Sequence, residues 1–571
     1  MTPPLTRRAL LAAGVAGTVI GGGCARDVEP RWTARWVGLS HERGHRLQAA
    51  PAQAAAASSP QAATTRRAAV LVVGAGVSGL AAARALAQRG VDDVHLLELE
   101  DAAGGNSRGH RLGGMACPLG AHYLPTPDER AEEVIELLES LGLRRTEAGR
   151  VVYDERHLCH SPQERLFIEG QWVEGLLPPV EALPAEQRAA TLAQYRRFAT
   201  AVSAASRDAE FSIPTTRARW SARLAALDAI TFARWLDEEG LTAPALRWYL
   251  DYCCRDDFGA GIARVSAWAG LHYFASRHGF HPPGGETAAA DDRDAVLTWP
   301  EGNGWLSARM AAPLGQRLHT GCVVERVVEG RHEVTVDVID ASTLQRERWV
   351  ASQVVLAVPV FVAARLLQSP PEALRAAASQ VQSAPWLVSN LQLDSALTDR
   401  PGAPPSWDNV LYGGAALGYV DAMHQSLRAH AGPTVLTAYW ALGGDTPEDG
   451  RHQRQRLLDQ PAASWAATLV RELARAHADL PGRVTQIDLV RYGHAMSIPV
   501  PGVRGSAALR ALQQTTGRVH FAHTDLSGYS VFEEAMFQGV RAAQAVLQAG
   551  ATRLNRASAL RSPPLPPARL G

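Results

Sequence analysis

Lysine is missing from this chain: among 571 residues, all 57 basic side chains are arginine. No lysine Schiff base can form, which removes aldol and pyridoxal chemistry. Cysteine is scarce, with six in all. Beyond Cys24, the five at 117, 159, 253, 254 and 322 match no zinc-ligand spacing. No metal site is therefore expected, and their odd count argues against a full disulfide framework. A single bridge involving the adjacent Cys253 and Cys254 stays open at this stage. Excess charge is absent too: 57 acidic residues balance the 57 arginines. The chain therefore carries no electrostatic footprint for nucleic acid. Long apolar runs and internal repeats are equally lacking, and the N-terminal run from Ala9 to Ile20 is too short to span a bilayer.

That short run has another reading. Arg7 and Arg8 directly precede it, and the arrangement resembles the twin-arginine export signal of bacteria. Residues 1–23 are expected to be that signal, which places the mature protein in the periplasm. Cys24 follows three glycines and offers two outcomes, a lipid anchor on its thiol or plain cleavage nearby. Residues 24–66 form an N-terminal extension ending in an Ala/Pro/Ser linker. The tail, 551–571, is proline-rich at its end and expected to be disordered.

What is present begins at Ala69. A β-branched run to Val73 enters Gly74-Ala-Gly76-Val-Ser-Gly79, then an alanine-rich helix. Gly74 allows the tight turn, Gly76 lets backbone approach a pyrophosphate, and Gly79 lets helix pack on strand. The helix N-terminus would direct N–H groups at the phosphates. A second strand, Val94–Leu97, delivers Glu98, placed to accept hydrogen bonds from a ribose diol. The unit predicts a dinucleotide-binding α/β domain of Rossmann type.

Further segments choose the nucleotide. Gly104-Gly105-Asn106 follow Glu98 closely, "WPEGNGWLSARM" and "TGCVVERV" occupy 299–310 and 320–327, and "QVVLAVPV" follows at 353–360. Near the end, Val519–Ala522 reads as a strand, Asp525 as an acid after the turn, and Phe532–Leu547 as a helix. These segments in this order resemble the flavin-containing amine oxidase superfamily, with its monoamine and polyamine oxidases and phytoene desaturases. The resemblance implies FAD. It also implies that Gly104, Gly105 and Asn106 line the pyrophosphate, that Val323 reaches the adenine through its backbone, and that Asp525 binds the ribityl chain. The helix starting at Phe532 should face the flavin. Asn106 stands where arginine is usual, with Arg108 two positions on, and His523 replaces the usual glycine.

The expected architecture is an α/β FAD-binding domain assembled from 67–126, 296–372 and 486–550. An α+β substrate domain comes from 127–295 and 373–485. Its features include a helix at 128–143, a largely helical stretch over 181–250, and an aromatic-dense segment at 248–280. Arg255, Asp256 and Asp257 are its candidate substrate contacts. Family members flank the substrate with two rings; here those positions hold Met496 and Val531, and the covalent-cysteine position holds Ala495. The lysine that many relatives use to hold a water at the flavin cannot exist. His494 is the candidate base or hydrogen-bond donor, competing with a structural role. The expected activity is FAD-dependent oxidation of a small organic substrate by hydride transfer. Two alternatives remain: desaturase- or isomerase-like chemistry on an apolar substrate, and a flavin-fold protein that only binds.

Overall fold

The computed structural model describes residues 31–46, 64–206, 211–277, 279–283, 295–426, 428 and 430–559. Arg7, Arg8, Cys24, most of the linker and residues 560–571 lie outside the described residues. Two large sheets organise the rest.

The first is seven-stranded. Thr64–Val73 runs parallel to Val94–Leu97 on one side and to Arg346–Leu356 on the other. Val519–Phe521 joins Arg346–Leu356, and Val334–Asp340 with Cys322–Glu329 extend the sheet antiparallel. The central strand's last residues, Val70 to Val73, are almost wholly buried, as a strand covered on both faces must be. Helix Val77–Ala87 covers one face, and the closing helix Phe532–Ala559 packs on it. Their approach needs glycine, since a Cβ at Gly539 would lie 2.2 Å from the Ser78 carbonyl. The closing helix runs past the expected Leu547 and takes up residues assigned to the tail.

The second sheet has eight strands, in the order Thr33–Trp36, Val484–Ile498, Gln382–Leu393, Thr434–Ala441, Tyr419–Asp421, Asp408–Leu411, Glu164–Ile168 and Gln171–Glu174. Helices Ala185–Ser206, Pro244–Phe258 and Ala267–Ala275 pack against it over a core rich in rings, with Tyr195, Phe198, Phe258 and Trp268 fully buried. Two placements differ from the sequence reading. Val484–Ile498, assigned from residue 486 to the FAD portion, is a long strand here, hydrogen-bonded to Gln382–Leu393 over most of its length. Thr33–Trp36, assigned to the extension, is the edge strand beside it, fixed by a two-pronged Arg35–Asp488 ion pair at 2.8 and 3.0 Å. Cys253 and Cys254 are buried free thiols with no bridge.

The two sheets are also tied by the segment after that edge strand. The Val37 amide donates to the Leu489 carbonyl at 2.8 Å. The Ser40 amide donates to the Glu100 carboxylate at 3.1 and 3.2 Å, and Arg43 reaches the Leu99 carbonyl at 3.1 Å.

Candidate functional site

A cavity of about 910 Å³ fills the seam between the sheets. One end is built from backbone. Gly74 takes φ +96°, and a Cβ there would sit 2.5 Å from the Ala357 carbonyl; at Gly79 it would sit 1.9 Å from the Gly74 carbonyl. Gly76 differs, for its Cβ position faces open space with nothing nearer than the Gly105 Cα at 3.9 Å. Gly104 and Gly105 form the opposing turn, held by the Gly104 amide donating to the Ala75 carbonyl at 2.8 Å. Two glycine turns thus leave a slot that any side chain at 76 would narrow.

Glu98 closes the slot's far side. Its carboxylate accepts the Ala75 and Glu100 amides at 2.7 and 3.0 Å. Burial pushes its carboxyl up, opposed by those two amides and by the Arg108 guanidinium. Arg108 itself is buried, lines the cavity, and has Nε and Nη2 without a hydrogen-bond partner. Orphaned guanidinium N–H groups beside an open glycine cradle suit a diphosphate, and the adjacent carboxylate suits a ribose. The residues present fit FAD.

Of the predicted cofactor residues, Gly74, Gly76, Glu98, Gly104, Gly105, Asn106 and Phe532 line this cavity. Gly79 stands behind it and fixes the turn. Val323 is flanked by Cys322 and Val324, which line the cavity where it does not. Asp525 is not in the wall either. Its buried carboxylate accepts the Val360 amide at 2.9 Å and the Ser497 hydroxyl, so protein donors already occupy the acid expected to meet a ribityl chain. Its amide donates to Nδ1 of His523 at 3.1 Å, and that ring lines the cavity in its place.

Toward the middle, the Asn106 amide donates to the Ala495 carbonyl. Met496 and Val531 occupy the wall as the sequence indicated. His494 is open to the cavity, its ring 4.6 Å from that of Phe361. Desolvation, then Arg454 and Arg365, push its pKa down to about 4, which leaves it neutral at neutral pH.

The other end is made of side chains, and here the rings reappear. His122 stacks on Tyr439 with centroids 4.3 Å apart, and Tyr123 meets His122 edge-on. Burial holds His122 neutral, with a pKa of about 3. Beyond them Arg277 and Asp257 form a buried ion pair at 3.0 Å, and the Tyr529 hydroxyl donates to the second Asp257 oxygen at 2.9 Å. Asp256 stands beside the pair, its carboxyl raised to about 7 by burial and by Asp257. Sequence reasoning singled out Asp256 and Asp257 but also Arg255, which does not line the cavity and pairs with Asp251 at 2.9 Å. It missed His122, Tyr439 and Arg277. The one available signal was "GAHYLP", a ring pair one residue beyond a glycine.

The chain resembles known proteins. The sequence pattern of the family described as flavin containing amine oxidoreductase matches residues 77–547. A solved putrescine oxidase bound to putrescine superposes with a TM-score of 0.60 at 19% identity, covering 85% of this chain and 100% of that one. Cyclohexylamine oxidase from Brevibacterium oxydans gives 0.61 at 20% identity, covering 86% and 100%. By sequence, protoporphyrinogen oxidase 2 of Arabidopsis thaliana is 38% identical over 92 residues, which is 16% of this chain and 17% of that protein. The chain spans 21% or less of the length of the curated relatives it matches.

Proposed function

The chain belongs to the flavin-containing amine oxidoreductases, FAD-dependent oxidoreductases by family, and from that premise we propose that it oxidises a small amine at the carbon bearing nitrogen. One observation carries the reading: the nucleotide cradle and the carboxylate- and ring-lined end are a single cavity. Gly76, Gly105 and Arg108 would hold the diphosphate, and Glu98 the adenosine ribose. When bound, FAD supplies the acceptor for a hydride.

The protein's own task is to bring the amine in and manage its proton. Acidic walls attract an ammonium ion, and nitrogen must then lose a proton before the neighbouring carbon can give up a hydride. Asp256, poised at about 7, can take that proton at neutral pH, because a base works best near the operating pH. His494 is the second acceptor within the cavity. With a pKa of about 4, it is always deprotonated at pH 7 but only weakly basic. The stacked His122 and Tyr439 rings keep water from the space beside them.

Mixing the holoenzyme with primary amines under anaerobic conditions should bleach the flavin absorbance, whereas polyenes and unsaturated fatty acids should leave it oxidised. Bleaching by the lipids alone would move the protein to the desaturase-like reading. If His494 is the base, His494→Ala should slow bleaching roughly a hundred- to ten-thousand-fold with FAD retained. The low-pH limb of the parent's reduction rate should then fall near pH 4.

We also propose, from the Arg7-Arg8 sequence, that the folded protein is exported to the periplasm. Arg7→Gln with Arg8→Gln should hold the precursor in the cytoplasm, and fatty-acid labelling compared with Cys24→Ala reports the lipid anchor.

A further inference from the structure

Four parallel strands end side by side at the main cavity. Leu356 pairs with Val73 on one side and Phe521 on the other, and Leu97 lies beyond Val73. Sheets of this kind bind ligands at that carboxyl edge. Glu98, directly after Leu97, marks the adenosine ribose, and the glycine turn after Val73 marks the diphosphate. The remaining half of FAD, its ribityl chain and ring, must then extend the other way, toward Phe521. Phe521 stands two strand spacings, roughly 10 Å, from the glycine turn. His523 follows it by two residues, and its ring lines the cavity.

The other polar groups of this wall are engaged with one another. The Thr524 and Ser530 hydroxyls meet at 3.2 Å, and the Ser530 hydroxyl accepts the Ser497 amide at 2.9 Å. Asp525 is turned inward, onto the Val360 amide and the Ser497 hydroxyl. His523 differs. Its Nδ1 accepts the Asp525 amide at 3.1 Å and lies 3.2 Å from an Asp525 carboxylate oxygen. Its Nε2 meets no partner among the described residues.

Those contacts decide where the ring carries hydrogen. While Nδ1 accepts the amide, a neutral ring must hold its hydrogen on Nε2. Protonation would add a hydrogen on Nδ1, beside the carboxylate oxygen, and leave Nε2 as it was. Nε2 is a donor in either state. The wall therefore presents one uncommitted N–H to the space left for the hydroxyl-bearing part of FAD. The glycine usual at this position could offer none.

We propose that His523 donates from Nε2 to the ribityl chain of FAD, taking the role expected of Asp525. The inference rests on the fit of the site to FAD and is independent of which substrate is oxidised.

The test is equilibrium binding of FAD and of ADP to the FAD-stripped protein. ADP shares the adenosine and diphosphate of FAD and lacks its ribityl chain and ring. Two substitutions separate the ring nitrogens. In His523→Asn the side-chain oxygen can still accept the Asp525 amide, as asparagine does when it caps a helix, but the Nε2 donor is gone. In His523→Gln a donor remains at about the reach of Nε2. His523→Asn should weaken FAD on the order of tenfold, the scale of one hydrogen bond, and leave ADP unchanged. His523→Gln should recover part of the loss. The ratio of FAD to ADP affinity is the quantity read, so damage common to the whole site cancels. A ratio unchanged in His523→Asn overturns the proposal, whether both ligands bind as in the parent or both weaken in step. If His523→Asn melts early without ligand, the same ratio decides: a fall that His523→Gln reverses supports the contact, and a fall equal in both variants refutes it. A visible flavin band displaced in FAD-loaded His523→Asn would put the hydrogen bond on the ring and overturn the ribityl assignment.

Discussion

The two ends of the main cavity are built by opposite means. At the nucleotide end, specificity is largely a property of backbone: turns at Gly74, Gly76, Gly104 and Gly105 open a slot, to which Glu98 and Arg108 add side-chain chemistry. At the substrate end almost no backbone is on show. Rings and carboxylates converge from the loop after Gly120, the helix Pro244–Phe258, the stretch around Arg277 and the strand Thr434–Ala441. A cofactor common to many enzymes can be held by a reusable turn. A substrate peculiar to one of them must be held by side chains that change freely while the scaffold stays.

If the contrast holds, the ends should break differently. The largest effect is expected at the substrate end from Arg277→Met. It strands Asp257, whose side chain is only 5% exposed, and losing one partner of a buried pair costs about 3–5 kcal/mol. Thermal melts of the purified protein check this, and adding Asp257→Asn should recover part of the loss. A melting curve unchanged by Arg277→Met would show the pair to be expendable. At the nucleotide end, Glu98→Ala should weaken FAD binding by about 1.5–3 kcal/mol, the range for a hydrogen bond to a charged group. Titrating FAD into the stripped protein measures it, and the apoprotein's secondary structure should persist. FAD held as tightly as by the parent would sink the ribose assignment.

The smallest effect concerns pH. His122 titrates near 3 in the folded protein against about 6.5 in an unfolded chain. As pH falls below 6.5 the unfolded chain binds the proton first, so stability is lost progressively down to about pH 3. His122→Gln should flatten that slope in acid melts, relative to the parent. An unchanged slope would mean that other groups, the neutral buried His272 among them, carry the acid sensitivity.

The same contrast explains what the sequence made legible. Gly74, Gly76, Glu98 and Gly104 could be placed because the feature they form is local, written in consecutive residues whose conformational needs are strict. Met496 and Val531 were legible as departures for the same reason, being fixed by their distance from nearby motifs. Asp525 was not. Whether that acid faces the cavity depends on the Ser497 hydroxyl and the Val360 amide, which reach it through folding alone. His122 and Tyr439 lie far apart in the chain, and their stacking depends on strand order, which no residue spacing encodes. Val484–Ile498 illustrates a subtler gap. Its apolar pattern fits a strand equally well in either sheet, and the choice is made by pairing with Gln382–Leu393. The distinction between rings that line a cavity and rings that fill a core is likewise settled only by packing.

The segment joining the two sheets carries a kinetic consequence. Leu39, Ser40, His41, Gly44 and His45 line the same cavity as the glycine turns. They are held there by one edge strand with the partly solvent-exposed Arg35, by the Ser40 amide on Glu100, and by side-chain bonds from Arg43 to Leu99 and Asp101 and from Arg491 to His41. Edge elements with few contacts open locally at far lower free energy than the whole molecule. Local opening of this short strip is therefore expected to contribute to the rate at which a nucleotide leaves the slot, alongside the grip of Glu98 and Arg108.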